Sequence, residues 1–128
     1  MAFARVEIIE GWPREQKAIA LEKVRGAISA ALRVPPDDPT VLLVEHSKSN
    51  VAVPMGLGAA YTLVTVTMFS GRSDEAKRGL VTQITEALVE AGAVRGEIDV
   101  LLQEQPRQHW ARGAHLASDR DPGFKVDI

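Results

Sequence analysis

The stretch that decides the fold runs from Thr62 to Ala93 and reads TLVTVTMFSGRSDEAKRGLVTQITEALVEAGA. In its first part, Thr62, Val64, Val66 and Met68 alternate along a segment rich in β-branched residues, which is typical of a β-strand. In its second part, apolar residues recur at the spacing of one helix face, at Leu80/Val81, Ile84 and Leu88. The stretch therefore predicts a strand followed by an amphipathic helix.

The ends of the predicted helix carry their own signals. Ser73 is placed to cap the first turn, and Asp74 and Glu75 put negative charge at the positive end of the helix dipole. Gly92 marks the C-terminal end of the helix, and the apolar run 98–102 predicts a second strand. The whole unit is a strand, a helix and a strand.

The same unit occurs earlier in the chain. Residues 5–34 lie over residues 65–94 at an offset of 60, and dropping one residue in the following turn brings 41–45 over 100–104. Eleven identities fall at equivalent points of the pattern: Val6/Val66, Gly11/Gly71, Glu15/Glu75, Lys17/Lys77, Ala27/Ala87, Ala31/Ala91, Val34/Val94, Val41/Val100, Leu42/Leu101, Leu43/Leu102 and Glu45/Glu104. Chance would produce only a few such identities, so we infer duplication or strong structural pseudo-symmetry.

The first copy predicts the same three elements. Residues 4–9 alternate as a strand, and Pro13 suits the first turn of the next helix because its missing N–H is not needed there. The helix has an apolar face and ends at Pro35-Pro36. The continuous apolar run Val41–Val44 is typical of a buried strand rather than an amphipathic one.

Together the copies predict an α/β (α+β) fold: two tandem β-α-β units forming a four-stranded sheet with both helices on one face. Residues 1–128 are expected to form a single domain, with the first repeat at about 2–46, a linker at about 47–61, the second repeat at about 62–105 and a C-terminal tail at 106–128. In the tail we expect a turn at 119–123 and a short strand at 124–126. The other sheet face would be open, so we expect self-association.

Composition excludes several classes of function. The chain has 128 residues, 45% of them hydrophobic, a net charge of −2 and no cysteine. It has no basic stripe for nucleic acid, no apolar run long enough to span a membrane, and no thiolate for catalysis or metal binding. His46, His109 and His115 lack zinc-like spacing, so we expect no metal. The default expectation is a soluble, cytoplasmic protein.

Several strings, taken in order, resemble the tautomerase superfamily. They are Ile9-Glu10-Gly11, Val34-Pro35-Pro36-x-Asp38, Glu45-His46, Gly56-Leu57-Gly58, Arg72-Ser73 and Trp110, and they cover nearly the whole chain. Within that superfamily the chain is most similar to the malonate semialdehyde decarboxylase group and its cis-3-chloroacrylic acid dehalogenase relatives. The resemblance implies a cofactor-free enzyme, either an isomerase or a lyase, that assembles as a homotrimer and acts on a small carboxylate-bearing substrate.

The resemblance also implies the source of the chemistry. In the family an amino-terminal proline, exposed when the initiator methionine is removed, donates and accepts protons. Here the matching position is Ala2. Removal of Met1 would leave a primary amine with an ordinary pKa of about 7.7–8.0, which can still transfer protons near neutrality. A retained Met1 is expected to carry the amine away from the pocket.

Some of the family's other site residues also have a match in this sequence. Asp38 matches the carboxylate that orients water, although an aspartate after two prolines is also a common turn residue. Arg72 matches one of two arginines that bind the substrate carboxylate, or is a solvated arginine. Ser70 stands where the second arginine would be and cannot supply its charge.

The last candidates lie in the tail. Trp110 matches an aromatic wall of the family pocket, or is ordinary packing. Arg112 replaces a family aromatic, either as a compensating cation or as a surface arginine, and Arg107 is a similar candidate.

Three hypotheses about function follow. The first is an oxo-acid pocket with weak tautomerase, hydratase or decarboxylase activity that uses the N-terminal amine of Ala2, with Asp38 positioning water and Arg72 and Arg112 holding the carboxylate. The second is a non-catalytic family member that acts as a binding or interaction module. The third is a different chemistry run by Arg112, His109 and Asp38 with no amine involved.

Overall fold

Four strands form one sheet in the computed structural model, which describes residues 1–128. They are β1 (Ala2–Ile9), β2 (Thr40–His46), β3 (Thr62–Phe69) and β4 (Ile98–Gln105), and their order across the sheet is β2-β1-β3-β4. The outer pairs are parallel and the central pair, β1 with β3, is antiparallel. This is the arrangement that two β-α-β units joined edge to edge produce, and the predicted fold class is confirmed.

The internal repeat is a local two-fold symmetry. The antiparallel register places Arg5 opposite Thr65, and these two residues are equivalent at the offset of 60, so the axis passes between them. An ion pair repeats on either side of it: Lys17 Nζ lies 2.7 Å from Glu45 Oε2, and Lys77 pairs with Glu104. Each pair joins a helix to the strand that follows it.

Two helices cover the same face of the sheet: α1 (Arg14–Leu32) and α2 (Asp74–Glu90). Pro13 is the residue just before α1, one position earlier than predicted, and Arg33 ends that helix in a left-handed conformation. The Ser73 hydroxyl caps α2 by accepting from the Ala76 N–H at 3.1 Å, as predicted. Apolar side chains of both helices and of all four strands pack between the layers. Neither helix has the length and apolar character needed to cross a membrane.

Strand β2 differs from its prediction. Val41 and Leu43 pack on the core, whereas Leu42 is 43% exposed, so exposure alternates along the strand. The physical reason is that helices cover only one face of the sheet, so alternate residues of β2 face outward. The opposite sheet face is open, and Leu101, the repeat equivalent of Leu42, is 51% exposed on it.

The C-terminal tail also differs from its prediction. Residues 124–126 form no strand. The last residue, Ile128, instead accepts one hydrogen bond from the Ser73 N–H at 2.9 Å. A hairpin that the sequence did not reveal forms earlier, from β5 (Ala111–Arg112) and β6 (His115–Leu116). Its turn puts both Gly113 and Ala114 at positive φ.

Candidate active site

The free N-terminal amine lies at the end of the sheet where β1 and β2 begin and β3 and β4 end. Its nitrogen, on Met1, is 3.3 Å from Asp38 Oδ2, and the two side chains are 20% and 17% exposed. Both residues line a cavity of about 210 Å³ together with Phe69, Arg112 and the hairpin and tail residues that follow. A half-buried amine and carboxylate thus meet in a site open to a small ligand.

Asp38 owes its position to the turn that precedes β2. Its backbone N–H donates to the Pro35 carbonyl at 3.0 Å, and Arg25 from α1 donates to the carbonyls of Asp37 and Pro39 at 2.7 and 3.0 Å. Oδ2 of Asp38 has no hydrogen-bond partner other than the nearby amine. The turn that precedes β2, held by Arg25, therefore positions Asp38 beside the amine. Nothing in the sequence distinguished Arg25 from other exposed helix residues.

The surroundings lower the pKa of the amine. Burial is the largest cause because it disfavours the charged form, and the positive charges of Arg72 and Arg112 act in the same direction. Asp38 opposes them by stabilising the cation. The net pKa lies below the usual 8.0, so more of the amine is neutral at physiological pH than in an unfolded chain. A neutral amine can accept a proton.

Arg72 lies just after β3 and is buried, with 5% of its surface exposed. Its Nη1 donates to the Phe69 carbonyl at 2.9 Å, whereas Nε and Nη2 have no partner. Burial lowers the pKa of the guanidinium, and the carboxylates of Asp127 and Asp38 counter that effect. Buried N–H groups without partners are the groups that an anionic ligand would satisfy.

Trp110 and Arg112 border a second cavity of about 430 Å³, on the open-face side of the amine. The Trp110 ring meets Phe69 edge-on, with ring centres 5.3 Å apart. Met1 and Arg112 line both cavities and therefore stand between them. The hairpin places Arg112 there. No group of three or more His, Asp or Glu side chains converges to hold a metal.

Comparison with known proteins identifies the family. The family model described as Tautomerase enzyme matches residues 63–120. The 2-hydroxymuconate tautomerase of Bacillus subtilis (strain 168) is 42% identical over 59 residues, which are 45% of this chain and 95% of that protein. The chain belongs to the tautomerase family. A probable tautomerase of Ralstonia nicotianae is 43% identical over 62 residues, covering 47% of this chain and 89% of the relative.

Solved structures share the fold of this chain. A malonate semialdehyde decarboxylase inhibited by 3-bromopropiolate superimposes with a TM-score of 0.79 at 25% identity, covering 91% of this chain and 92% of that one. A fused 4-OT symmetric trimer gives 0.83 at 24% identity, covering 92% and 99%. The curated relatives match over about the length of one repeat, so the present chain holds two such lengths.

The remaining predicted site residues lie in different places. Ala2 is 2% exposed and borders the second cavity, with its nitrogen in the peptide bond to Met1. The expectation that a retained Met1 carries the amine away from the pocket is wrong, since the Met1 amine lies beside Asp38. Ser70 is exposed and lines neither cavity.

Arg107 and His109 are the remaining candidates in the tail. Arg107 donates from Nη2 to the Arg120 carbonyl at 2.7 Å, so its guanidinium holds the tail. His109 and Arg112 line the second cavity together, whereas Asp38 lines the first. The sequence did not predict the lining residues His115, Arg120 and Asp121, because the hairpin that brings them in carries no periodic signal.

Proposed function

We propose that this tautomerase-family protein binds a small 2-oxo or 3-oxo carboxylate and transfers a proton at the carbon beside its carbonyl group. The observation that carries the proposal is the half-buried amine 3.3 Å from Asp38 with Arg112 beside the same cavity. A lowered amine pKa gives a base at neutral pH, and a guanidinium is a natural partner for a carboxylate.

Each residue then has a defined role. Arg112 pairs with the substrate carboxylate, whereas Arg72 lines neither cavity and acts only through its positive charge, which lowers the pKa of the amine. The amine takes a proton from the carbon and returns it to the resulting enolate, while Asp38 stabilises the protonated amine and positions water. Trp110 is an apolar wall. The proton transfer by the amine is tautomerisation. In decarboxylation the bond between the α-carbon and the carboxylate breaks, carbon dioxide leaves, and the protonated amine gives its proton to the carbon of the remaining enolate. In hydration, water that passes its proton to Asp38 adds to a carbon–carbon double bond, while the protonated amine gives a proton to the α-carbon.

Decarboxylation of a 3-oxo acid deserves the first test, because a malonate semialdehyde decarboxylase is among the solved structures that share the fold at 25% identity. The amine that acts belongs either to Met1 or, once Met1 is removed, to Ala2. Successive Cα atoms are about 3.8 Å apart, so the second case moves the amine toward the cavity that Ala2 borders. Intact mass identifies the N-terminal residue.

The assay uses purified protein with phenylenolpyruvate and malonate semialdehyde. We expect slow turnover that falls in Asp38→Asn mainly through kcat and in Arg112→Ala mainly through KM, by about tenfold for a lost charge-assisted contact. Arg78→Ala, on the exposed side of α2, is the matched control and should leave both constants unchanged. Turnover that is absent, or insensitive to Asp38 and Arg112, overturns the proposal. Ala2→Pro should raise kcat in the processed protein.

A second function, a binding module without catalysis, is supported by the residue at position 2. Ala2 stands where the resemblance places the proline that donates and accepts protons, whereas Arg112 lines the cavity and can hold a carboxylate. Calorimetry separates the two functions: binding of a 3-oxo acid that needs Arg112, with no product formed, supports a binding module.

We also propose a homotrimer, built through the open sheet face. Exposed Leu42 and Leu101 on that face support self-association, and a fused 4-OT of the same fold is a trimer. Light scattering after size-exclusion chromatography should give three times the 13.9 kDa chain mass. A monomer at micromolar concentration contradicts the proposal.

A further inference from the structure

The local two-fold axis relates the amine end of the sheet to a third cavity, of about 600 Å³, at the opposite end of the open face. Leu63 there is the repeat equivalent of Phe3, Glu7 of Thr67, and His46 of Gln105. The short helices Lys48–Asn50 and Arg107–His109, which border the two cavities, are equivalent as well. The fold thus presents the same framework twice, and the second copy is not used by the proposed function.

The polar groups of the third cavity differ from those of the first. His46 Nε2 lies 3.0 Å from Glu7 Oε1, and the two side chains are 36% and 24% exposed. The Tyr61 hydroxyl donates to Asp99 Oδ2 at 2.6 Å, and this bond raises the pKa of Tyr61 to about 12, so its ring stays neutral. No arginine or lysine lines the cavity.

The charged groups at the two ends differ. Glu7 is the one carboxylate that lines the third cavity, beside His46, whereas the amine cavity holds Arg112 and Arg120 together with Asp38 and Asp121. The remaining lining is largely apolar and is supplied by β1, β3 and the segment after β2, at Ile8, Ile9, Val51, Ala52, Val53, Pro54 and Leu63. A ligand that is cationic at one end and apolar along its body complements one carboxylate in an apolar lining without arginine or lysine.

We propose that this cavity, named here the cation cavity, is a second ligand site for a small organic ammonium compound. Its ammonium group lies against the Glu7 carboxylate and the face of the Tyr61 ring, which attracts cations. Its apolar body lies along Val51, Val53 and Leu63. The site is independent of proton transfer at the amine end.

A titration of the full-length protein followed by ¹⁵N NMR tests the proposal. Benzylammonium is the probe, with benzyl alcohol and benzoate as neutral and anionic counterparts of similar shape. We expect saturable shifts at the amides of 50–53 with benzylammonium, with unchanged signals at the equivalent residues 109–112. The alcohol should bind at least about tenfold more weakly, as is usual for loss of a charged contact.

Variants locate the ligand. Glu7→Gln should weaken benzylammonium binding about tenfold, and Tyr61→Leu should weaken it through loss of the ring. Glu45→Gln removes a carboxylate from the helix-facing side of β2 and should leave affinity unchanged. Three results overturn the proposal. They are equal affinity for the alcohol, shifts at 109–112 instead of 50–53, and no binding because another copy of the chain fills the cavity. Activity at the amine end is measured separately and does not depend on this result.

Discussion

Replacing Asp38 by asparagine removes the one negative charge that opposes the fall in the N-terminal amine pKa. In the native protein the pKa is already below its usual value because burial, Arg72 and Arg112 outweigh Asp38. Asparagine keeps the shape of the side chain and loses the charge. The prediction is that the pKa of the amine falls further in Asp38→Asn.

The separation of 3.3 Å sets the size of the effect. Two unit charges at that distance interact by about 1.3 kcal/mol in water and by about 5 kcal/mol at an effective dielectric constant near 20. Both groups keep some contact with solvent, which holds the interaction toward the lower figure. Since one pKa unit corresponds to about 1.4 kcal/mol, we expect a further fall of about one unit.

Reductive ¹³C-methylation of the protein and an NMR pH titration of the N-terminal dimethylamine resonance measure this directly. Asp37→Asn is the matched control, because Asp37 is the exposed neighbour in the same turn. An unchanged or raised pKa in Asp38→Asn refutes the reasoning, as does an equal fall in both variants. A fall confined to Asp38→Asn also raises the fraction of neutral amine near pH 7.

The remaining predictions concern the framework. Gly26→Ala on α1, where an added Cβ meets open space, should raise the free energy of unfolding by about 0.5–1 kcal/mol. Gly92→Ala, at a residue with φ +106°, should lower it by more than about 1 kcal/mol. Urea titrations measure both changes. Ile84→Ala in the buried core should lower the free energy of unfolding by about 2–5 kcal/mol. Ile19→Ala, at a half-exposed residue, is the control and should lower it by about 0.5 kcal/mol or less. Similar losses in the two variants would contradict the burial of Ile84. Arg107→Ala should free the tail, seen as faster trypsin cleavage after Arg120 and Lys125 with the sheet still protected. Unchanged cleavage would show that the hydrogen bonds of Arg107 contribute little.

The sequence allowed the sheet and helices to be predicted because their signals are local. Period-2 alternation sets which side chains of β3 face the helices, and the offset of 60 transfers that result to β1. The same reasoning failed for β2, since an apolar run does not say whether one face of its strand is covered or both. It failed for residues 124–126 because a strand requires a neighbouring edge that local patterning cannot supply.

The candidate site was predicted only in part. The resemblance singled out Asp38, Trp110 and Arg112, and all three border the two cavities at the amine. It could not show that Ser70 and Arg72 would line neither cavity, or that Arg107 would hold the tail instead of a ligand. These outcomes depend on contacts between separate segments, which leave no periodic pattern in the sequence.

By itself, the sequence determined two β-α-β units and a core on one side of the sheet, because hydrophobic spacing fixes which faces of strands and helices are buried. Only the tertiary structure decided that β1 pairs antiparallel with β3, which brings the Met1 amine to Asp38 and Arg112 to both cavities. It also decided that the repeat places a cavity lined by Glu7 and His46 at the end of the sheet opposite the cavity lined by Asp38 and Arg112. The physical reason is that strand register and chain reversal depend on contacts between distant segments, whereas periodicity records only which face of each segment is apolar.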